Sequence, residues 1–279
     1  MFELVKKTQV NEAVVEYVFY APLIAAKGKP GQFVLFRIDN LGERVPITLC
    51  GINAKEGTIT LLIQAAGAST MQLSALQVGD RLKDIVGPLG NATDLEGCER
   101  VLLVAGGIGV AVLYPQAEAL RAAGKKVTCI YGARNKGQFV YLDKLERVCD
   151  ELILATDDGS LGITGNAVAA MEQLLEKDAK AFDLAFAVGP LPMMRATCAM
   201  TKRYGLKTIV SMNPIMIDGT GMCGGCRLTV GGEVKYACVD GPEFDGHKVD
   251  FDEVMSRNRF YADIEKEHIC RLTGGRVNG

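Results

Sequence analysis

Over the first ninety-seven residues, apolar side chains come in short runs that end at turn signals. Ala13-Val14-Val15-Glu16-Tyr17-Val18-Phe19-Tyr20, Gln32-Phe33-Val34-Leu35-Phe36-Arg37-Ile38 and Thr58-Ile59-Thr60-Leu61-Leu62-Ile63 are rich in β-formers, and Lys29-Pro30-Gly31 and Asp39-Asn40-Leu41-Gly42 break them. Many short strands at regular spacing predict an antiparallel, closed or nearly closed β-barrel. From Glu99 the pattern changes. Val101 to Ala105 is continuously apolar, as a strand buried on both faces requires, and Gly106-Gly107-Ile108-Gly109 leads into helical spacing from Val110 to Ala123. Further strands are predicted at 127–132, 151–156, 184–188 and 207–212, and helices at 139–145, 166–177 and 192–204. Alternating β and α elements with short links predict a doubly wound parallel sheet. The expected units are a barrel at 1–97, an α/β domain at 98–212, a small cysteine-bearing segment at 213–250 and a tail at 251–279. The tail reads as a docking or capping helix with a frayed Gly-rich end, and its Arg257, Arg259 and Tyr261 suit an interface.

Composition narrows the function classes. With 48% hydrophobic and 23% charged residues over 279 positions, the chain is globular and suits about two domains plus an appendage. Its 31 basic and 33 acidic residues are well mixed, which argues against nucleic acid or an anionic membrane surface as the main partner. Met1 to Lys7 has no apolar signal-peptide core, and no run of about 18 apolar residues occurs, so a cytoplasmic location is expected. In that compartment nine cysteines read as free thiols or metal ligands.

Three of those cysteines carry the most pointed chemistry. Asp218 stands ahead of Cys223, Cys226 and Cys238 as D-x4-C-x2-C-x11-C, the plant-type [2Fe–2S] spacing with aspartate in the first position. The rival is structural zinc on the three cysteines with Asp218 or a histidine. His247 follows Cys238 by nine residues, outside the usual short spacing. Asp218 can also be a simple loop cap, with another group as ligand. Cys198 and Cys270 are the remaining sulfurs nearby, Cys198 reading as a core position on a helix. Cys50, Cys98, Cys129 and Cys149 read as small apolar residues, and His247 and His268 as surface residues.

Other turns have the makings of phosphate sites. Arg44-Val45-Pro46-Ile47-Thr48 puts a fixed cation, a rigid proline and a hydroxyl on one strand. Gly67-Ala68-Ser69-Thr70 can form an anion nest at a helix start, and Gly87-Pro88-Leu89-Gly90 reads as a tight turn. In the sheet, Gly106-Gly107-Ile108-Gly109 offers bare N–H groups and a helix dipole. Gly132-Ala133-Arg134, Thr156-Asp157-Asp158-Gly159-Ser160 and Gly189-Pro190-Leu191-Pro192-Met193-Met194 end the other strands, where doubly wound sheets bind ligands.

In this order, the motifs resemble the ferredoxin–NADP reductase superfamily. The order of barrel, sheet and cysteine segment resembles the electron-transfer subunit of dihydroorotate dehydrogenase, and more closely the small (alpha) subunit of NADH-dependent reduced ferredoxin:NADP⁺ oxidoreductase, or sulfide dehydrogenase. Aspartate in the first ligand position and the Phe244-Asp245-Gly246-His247 stretch are similar to the latter.

The resemblance implies FAD on the barrel at Pro46, Ile47, Thr48, Gln64, Gly67, Ser69, Thr70 and Gly87, with Thr48 at the flavin ring nitrogen. The family's common form has two residues between arginine and hydroxyl, whereas three separate Arg44 from Thr48. Arg44 therefore reaches the phosphates in a shifted register or yields to backbone groups. It further implies NAD(H) at Gly106, Gly107, Ile108, Gly109, Arg134, Asp157, Asp158, Gly159, Gly189, Pro190 and Met193. Carboxylates near the ribose favour NADH, and Arg134 and Lys136 keep NADPH open. Asp218, Cys223, Cys226 and Cys238 would hold the [2Fe–2S] cluster. The implied function is to take hydride from NADH and pass single electrons to a larger iron–sulfur flavoprotein subunit that reacts with ferredoxin and NADP⁺. The alternatives are a dihydroorotate-type subunit and a flavin- and nucleotide-binding regulatory protein with zinc.

Overall fold

The computed structural model describes residues 2–260 together with 266, 267, 269 and 270. Eight strands build the first unit: β1 (Phe2–Gln9), β2 (Val14–Tyr20), β3 (Phe33–Arg37), β4 (Val45–Thr48), β5 (Gly51–Asn53), β6 (Thr58–Gln64), β7 (Arg81–Leu82) and β8 (Asp84–Leu89). Short helices α1 (Pro22–Ala25) and α2 (Ala68–Ser74) connect them. Every pairing is antiparallel, in a five-stranded sheet ordered β5-β6-β2-β1-β7 and a three-stranded sheet ordered β4-β3-β8. The two sheets enclose a core containing Leu4, Tyr17, Phe19, Val34, Phe36 and Leu61. Strand β3 lacks a polar face because both of its sides are covered. Val34 and Phe36 point into the barrel, while Phe33 and Leu35 belong to the core beneath the C-terminal segment.

Gly87-Pro88-Leu89 is not a turn, contrary to the sequence expectation: β8 runs through to Leu89, and only Gly90 (φ +71°) turns. Proline is tolerated because β8 pairs only with β3 and lies at the edge of its sheet, with an irregular register where β3 passes from Phe33 to Leu35.

The second unit has β9 (Arg100–Gly106), β10 (Lys126–Ala133), β11 (Glu151–Thr156), β12 (Ile163–Thr164), β13 (Leu184–Val188) and β14 (Thr208–Ser211), all parallel. Helices α3 (Val110–Ala122) and α4 (Leu142–Val148) cover one face, and α5 (Ala167–Asp178) and α6 (Leu191–Arg203) the other. The period-2 rule decides which residues meet them. Val101, Leu103 and Ala105 join the α3–α4 core, while Leu102 and Val104 join the α5–α6 core.

The helix predicted at 139–145 begins later, at Leu142. Phe139 packs edge-on against Tyr131, ring centroids 4.8 Å apart, and Tyr141 takes φ 61°, the one left-handed non-glycine among the described residues. That burial pulls the segment away from helical geometry, which apolar spacing alone could not reveal.

After β14 the chain forms a hairpin of β15 (Arg227–Val230) and β16 (Glu233–Tyr236), then β17 (Glu243–Asp245) and α7 (Phe251–Arg259). Strand β17 pairs antiparallel with β14, so the large sheet reads β12-β11-β10-β9-β13-β14-β17. Helix α7 starts at Asp250, whose side chain accepts from the Glu253 N–H. Phe251 and Val254 are buried in the α5–α6 core, so this part of the tail caps its own chain. Tyr261, His268 and the Gly-rich end lie outside the described residues. Among the described residues, no helix is long and apolar enough to cross a membrane.

Candidate functional site

A cleft of about 710 Å³ separates the barrel from the carboxyl ends of the parallel strands. Its barrel wall carries Pro46, Ile47 and Thr48 on β4, Phe33 on β3, and Leu62 and Gln64 on β6. Its sheet wall carries Gly106 to Gly109, Arg134, Asp157, Gly189, Pro190 and Met193. Glycine is needed in this wall for close approach. A Cβ on Gly109 would stand 2.5 Å from the Val188 carbonyl oxygen, and one on Gly106 would stand 2.6 Å from Met193 Sδ. Gly107 differs: its φ of +54° excludes most side chains, yet nothing lies within 4 Å of where a Cβ would be. The backbone there faces open space at the start of α3, an arrangement suited to a phosphate.

Other expected residues stand outside the cleft lining. Arg44 lies 3.5 Å from Asp84, just before β4 and so at the opposite end of that strand from Thr48. The Thr70 hydroxyl accepts from the N–H groups of Ala66 (3.1 Å) and Gly67 (3.0 Å), so part of the nest at Gly67-Ala68-Ser69 is satisfied by its own helix start. Gly87 is inside β8. Of the acidic pair, only Asp157 lines the cleft. Asp158 accepts from the Ser160 N–H at 2.9 Å, and its bonds to Ser160 hold its carboxyl below the usual range. Gly159 makes the turn beside it at φ +72°.

Gln138, Asn166, Ser211, Met212, Asn213, Pro214, Met216 and Pro242 also line the cleft, although none belongs to the motifs from which a site was expected. Residues 211–214 could have been found, since they end and follow the last parallel strand at its carboxyl end. Pro242 reaches the cleft only because β17 returns alongside β14, with Met212 N–H bonding the Pro242 carbonyl at 2.9 Å.

The same 211–216 segment runs on into the cysteine loop. Gly231 and Gly232, both at positive φ, turn the β15–β16 hairpin, and its register sets Cys226 against the residues after β16. Ala237 N–H bonds the Cys226 carbonyl at 3.2 Å, and Cys238 N–H points at Cys226 Sγ, 3.4 Å away. Both thiols are buried. Cys223 is exposed, with its sulfur 3.4 Å from the Gly225 N–H. Asp218 accepts from Thr220 N–H (2.8 Å) and Cys223 N–H (2.9 Å), and these bonds hold its carboxyl below the usual range against some desolvation.

The donors therefore fall into two pairs, buried Cys226 with Cys238 and outer Asp218 with Cys223. No three His, Cys, Asp or Glu side chains among the described residues converge as one mononuclear ion would need. A two-iron cluster takes two protein ligands per iron, and this paired donor set, with N–H groups aimed at sulfur, fits that demand. His247 is bound elsewhere, its Nε2 3.0 Å from Thr201 Oγ1. Cys198 is buried in the core, which pushes its thiol up to about 12.

Comparison with known proteins agrees with this arrangement. Residues 213–250 match the iron-sulfur cluster binding domain of dihydroorotate dehydrogenase B. A homologue of the dihydroorotate dehydrogenase B (NAD(+)) electron transfer subunit from Thermotoga maritima is 43% identical, spanning 95% of this chain and 93% of that protein. The chain belongs to the dihydroorotate dehydrogenase B electron-transfer-subunit family. A second member, from Bacillus caldolyticus, is 34% identical over 86% of this chain and 94% of its own length. A solved structure of NADH-dependent reduced ferredoxin-NADP oxidoreductase superposes with a TM-score of 0.91 at 41% identity, covering 98% of each chain. Phthalate dioxygenase reductase, 15% identical with a TM-score of 0.62, shares the fold. As a member of the family, the chain is an electron-transfer subunit of an oxidoreductase on a ferredoxin-reductase fold.

Proposed function

We propose that the chain binds FAD against β4, NADH against the strand ends and a [2Fe–2S] cluster in the 218–238 loop, and relays electrons from NADH to a larger subunit. The observation carrying this reading is continuity: the segment from Ser211 to Met216 lines the cleft and then leads directly into the Asp218–Cys238 loop. Bound in these places, FAD would accept hydride from NADH and the cluster would carry the electrons away singly, so the redox chemistry is the cofactors' own.

The protein's part is to bind and orient. The Thr48 hydroxyl on the cleft wall can donate to a flavin ring nitrogen, and Pro46 and Ile47 shape the same wall. Gly106 to Gly109 present N–H groups and the start of α3 to a pyrophosphate. Asp157 at the end of β11 favours a free ribose hydroxyl over a 2′-phosphate, which supports NADH, while Arg134 on the same lining leaves NADPH some affinity. Gly67, Ser69, Thr70, Gly87 and Arg44 would reach FAD only at the edge of the barrel. Buried Cys226 and Cys238 would hold one iron and outer Cys223 and Asp218 the other.

The partner proposed is the larger iron–sulfur flavoprotein of a ferredoxin–NADP⁺ oxidoreductase, supported by the 41% identity over 98% of the chain. A dihydroorotate dehydrogenase catalytic subunit is the alternative, and the flavoprotein that co-purifies distinguishes them. A cytoplasmic location fits cysteines that serve as cluster ligands. The test is anaerobic purification with metal and sulfide analysis, followed by an NADH titration watched in the visible spectrum. Bleaching of flavin and cluster bands by NADH is expected; zinc without acid-labile sulfide would end the redox reading.

A further inference from the structure

Glu243 on β17 sits where every part of the molecule meets. Its Oε1 accepts from the Thr93 hydroxyl at 2.6 Å, and Gln116 Nε2 on α3 lies 3.4 Å from the same oxygen. Gly31 of the barrel closes the other side: at φ +89°, a Cβ there would stand 3.0 Å from Glu243 Oε1 and 2.2 Å from Thr93 Oγ1. The residue as a whole is only partly buried, but its carboxyl is enclosed by these groups.

Two cavities flank this joint. Pro242, the preceding residue, and Ser211, the β14 partner of Glu243, both line the main cleft. Thr93 and Gln116 line a second cavity of about 570 Å³ between the Lys29-Pro30 loop, the 92–97 linker and α3. The loop bearing Cys238 is tied to the same place, with Asn91 bonding the carbonyls of Val239 (3.1 Å) and Gly241 (2.7 Å). A carboxyl group therefore stands between a solvent-reaching cavity and the wall of the electron-carrying site, with one hydroxyl linking it to that cavity.

We propose that Glu243 is a redox-linked proton site, loaded from the second cavity through Thr93 when an electron arrives at the cleft or cysteine loop and emptied when the electron leaves. This rests on the electron-transfer reading above. In the loading step one electron, supplied by NADH, enters the bound cofactor and one proton converts the Glu243 carboxylate to the acid. Thr93 Oγ1 passes its hydrogen to Glu243 Oε1 and takes another from cavity solvent; departure of the electron reverses the transfer. Added negative charge in a poorly solvated region favours the protonated form. Burial already pushes this carboxyl up to about 7, against the lowering effect of the Thr93 bond. The groups touching it, Thr93, Gln116 and Gly31, carry no charge; Lys29 from the barrel loop, Glu96 from the linker and Lys125 after α3 stand around the second cavity.

The test is potentiometry of the purified holoprotein from pH 6 to 8, reading the cluster by EPR, alongside redox-difference infrared spectroscopy. In the parent, the cluster potential should fall with rising pH, by at most about 59 mV per tenfold change in proton concentration for a one-electron couple. Reduction should raise a carboxylic-acid C=O band. Glu243→Gln, which keeps the size of the side chain, should abolish both the slope and the band, while Thr93→Val should keep the equilibrium slope and slow proton exchange. A cluster signal with a pH-independent potential, or an unchanged slope and band in Glu243→Gln, overturns this inference alone. Absence of any reducible cluster overturns the electron-transfer reading and this inference with it.

Discussion

Asp218 holds two backbone N–H groups, and that changes what its replacement tests. Asp218→Ala removes loop caps worth about 1 kcal/mol together with any bond to iron. Asp218→Asn keeps a cap oxygen and loses the negative charge proposed to bind iron. We expect Asn to leave the apo protein's thermal midpoint near that of the parent while lowering cluster occupancy severalfold. Ala should lower both, read by calorimetry and iron content. An Asn variant with full occupancy and unchanged EPR would make Asp218 a cap only. At Thr48, Thr48→Val should slow flavin reduction by NADH roughly five- to tenfold, the worth of one hydrogen bond, with a smaller change in FAD affinity. Stopped-flow reduction with a parallel FAD titration checks this. These residues were legible because their chemistry requires particular atoms. Arg44 was less so: its ion pair with Asp84 reaches across β3, from the start of β4 to β8, which local order does not encode.

The hairpin of β15 and β16 is the element on which the buried thiol pair depends. Its Gly231-Gly232 turn, φ +62° and +84°, is a conformation that costs other residues about 1–3 kcal/mol. Gly232→Val should therefore loosen the Cys226–Cys238 pairing. The expected result is loss of most iron and sulfide while FAD stays bound, measured on one preparation; unchanged iron would show that the loop is held by other contacts. In the sequence these residues were only the spacing between two cysteines, although a Gly-Gly between β-rich runs is itself a hairpin signal. The parallel strands were readable because burial on both faces leaves an unbroken apolar run. The shift of α4 to Leu142 was not, since Phe139 is pulled out of helical phase by Tyr131, a partner distant in the pattern.

At the scale of the whole molecule, the joint at Glu243 makes stability depend on pH. Its carboxyl titrates near 7 in the fold against an ordinary 4.5, so the folded state binds the proton more tightly than the unfolded chain. The resulting stabilisation is complete below about 4.5 and is lost as pH rises through 7, on the order of 3 kcal/mol in all. Urea unfolding of the apo protein should show this contribution falling between pH 5 and 8. Glu243→Gln should flatten it and be the more stable form at pH 8; parallel curves for the two would show that the carboxyl is not held in this way.

The pairing of β17 with β14 bears on how such proteins can be taken apart. The cofactor sites look like three exchangeable modules strung along one chain, yet the third closes the sheet of the second. A chain cut after Met212 would leave the hydrogen-bonding edge of β14 bare, an invitation to pair with another copy. The relay is modular in its chemistry and indivisible in its folding, so grafting a foreign cluster segment requires a matching edge strand as well as matching ligands.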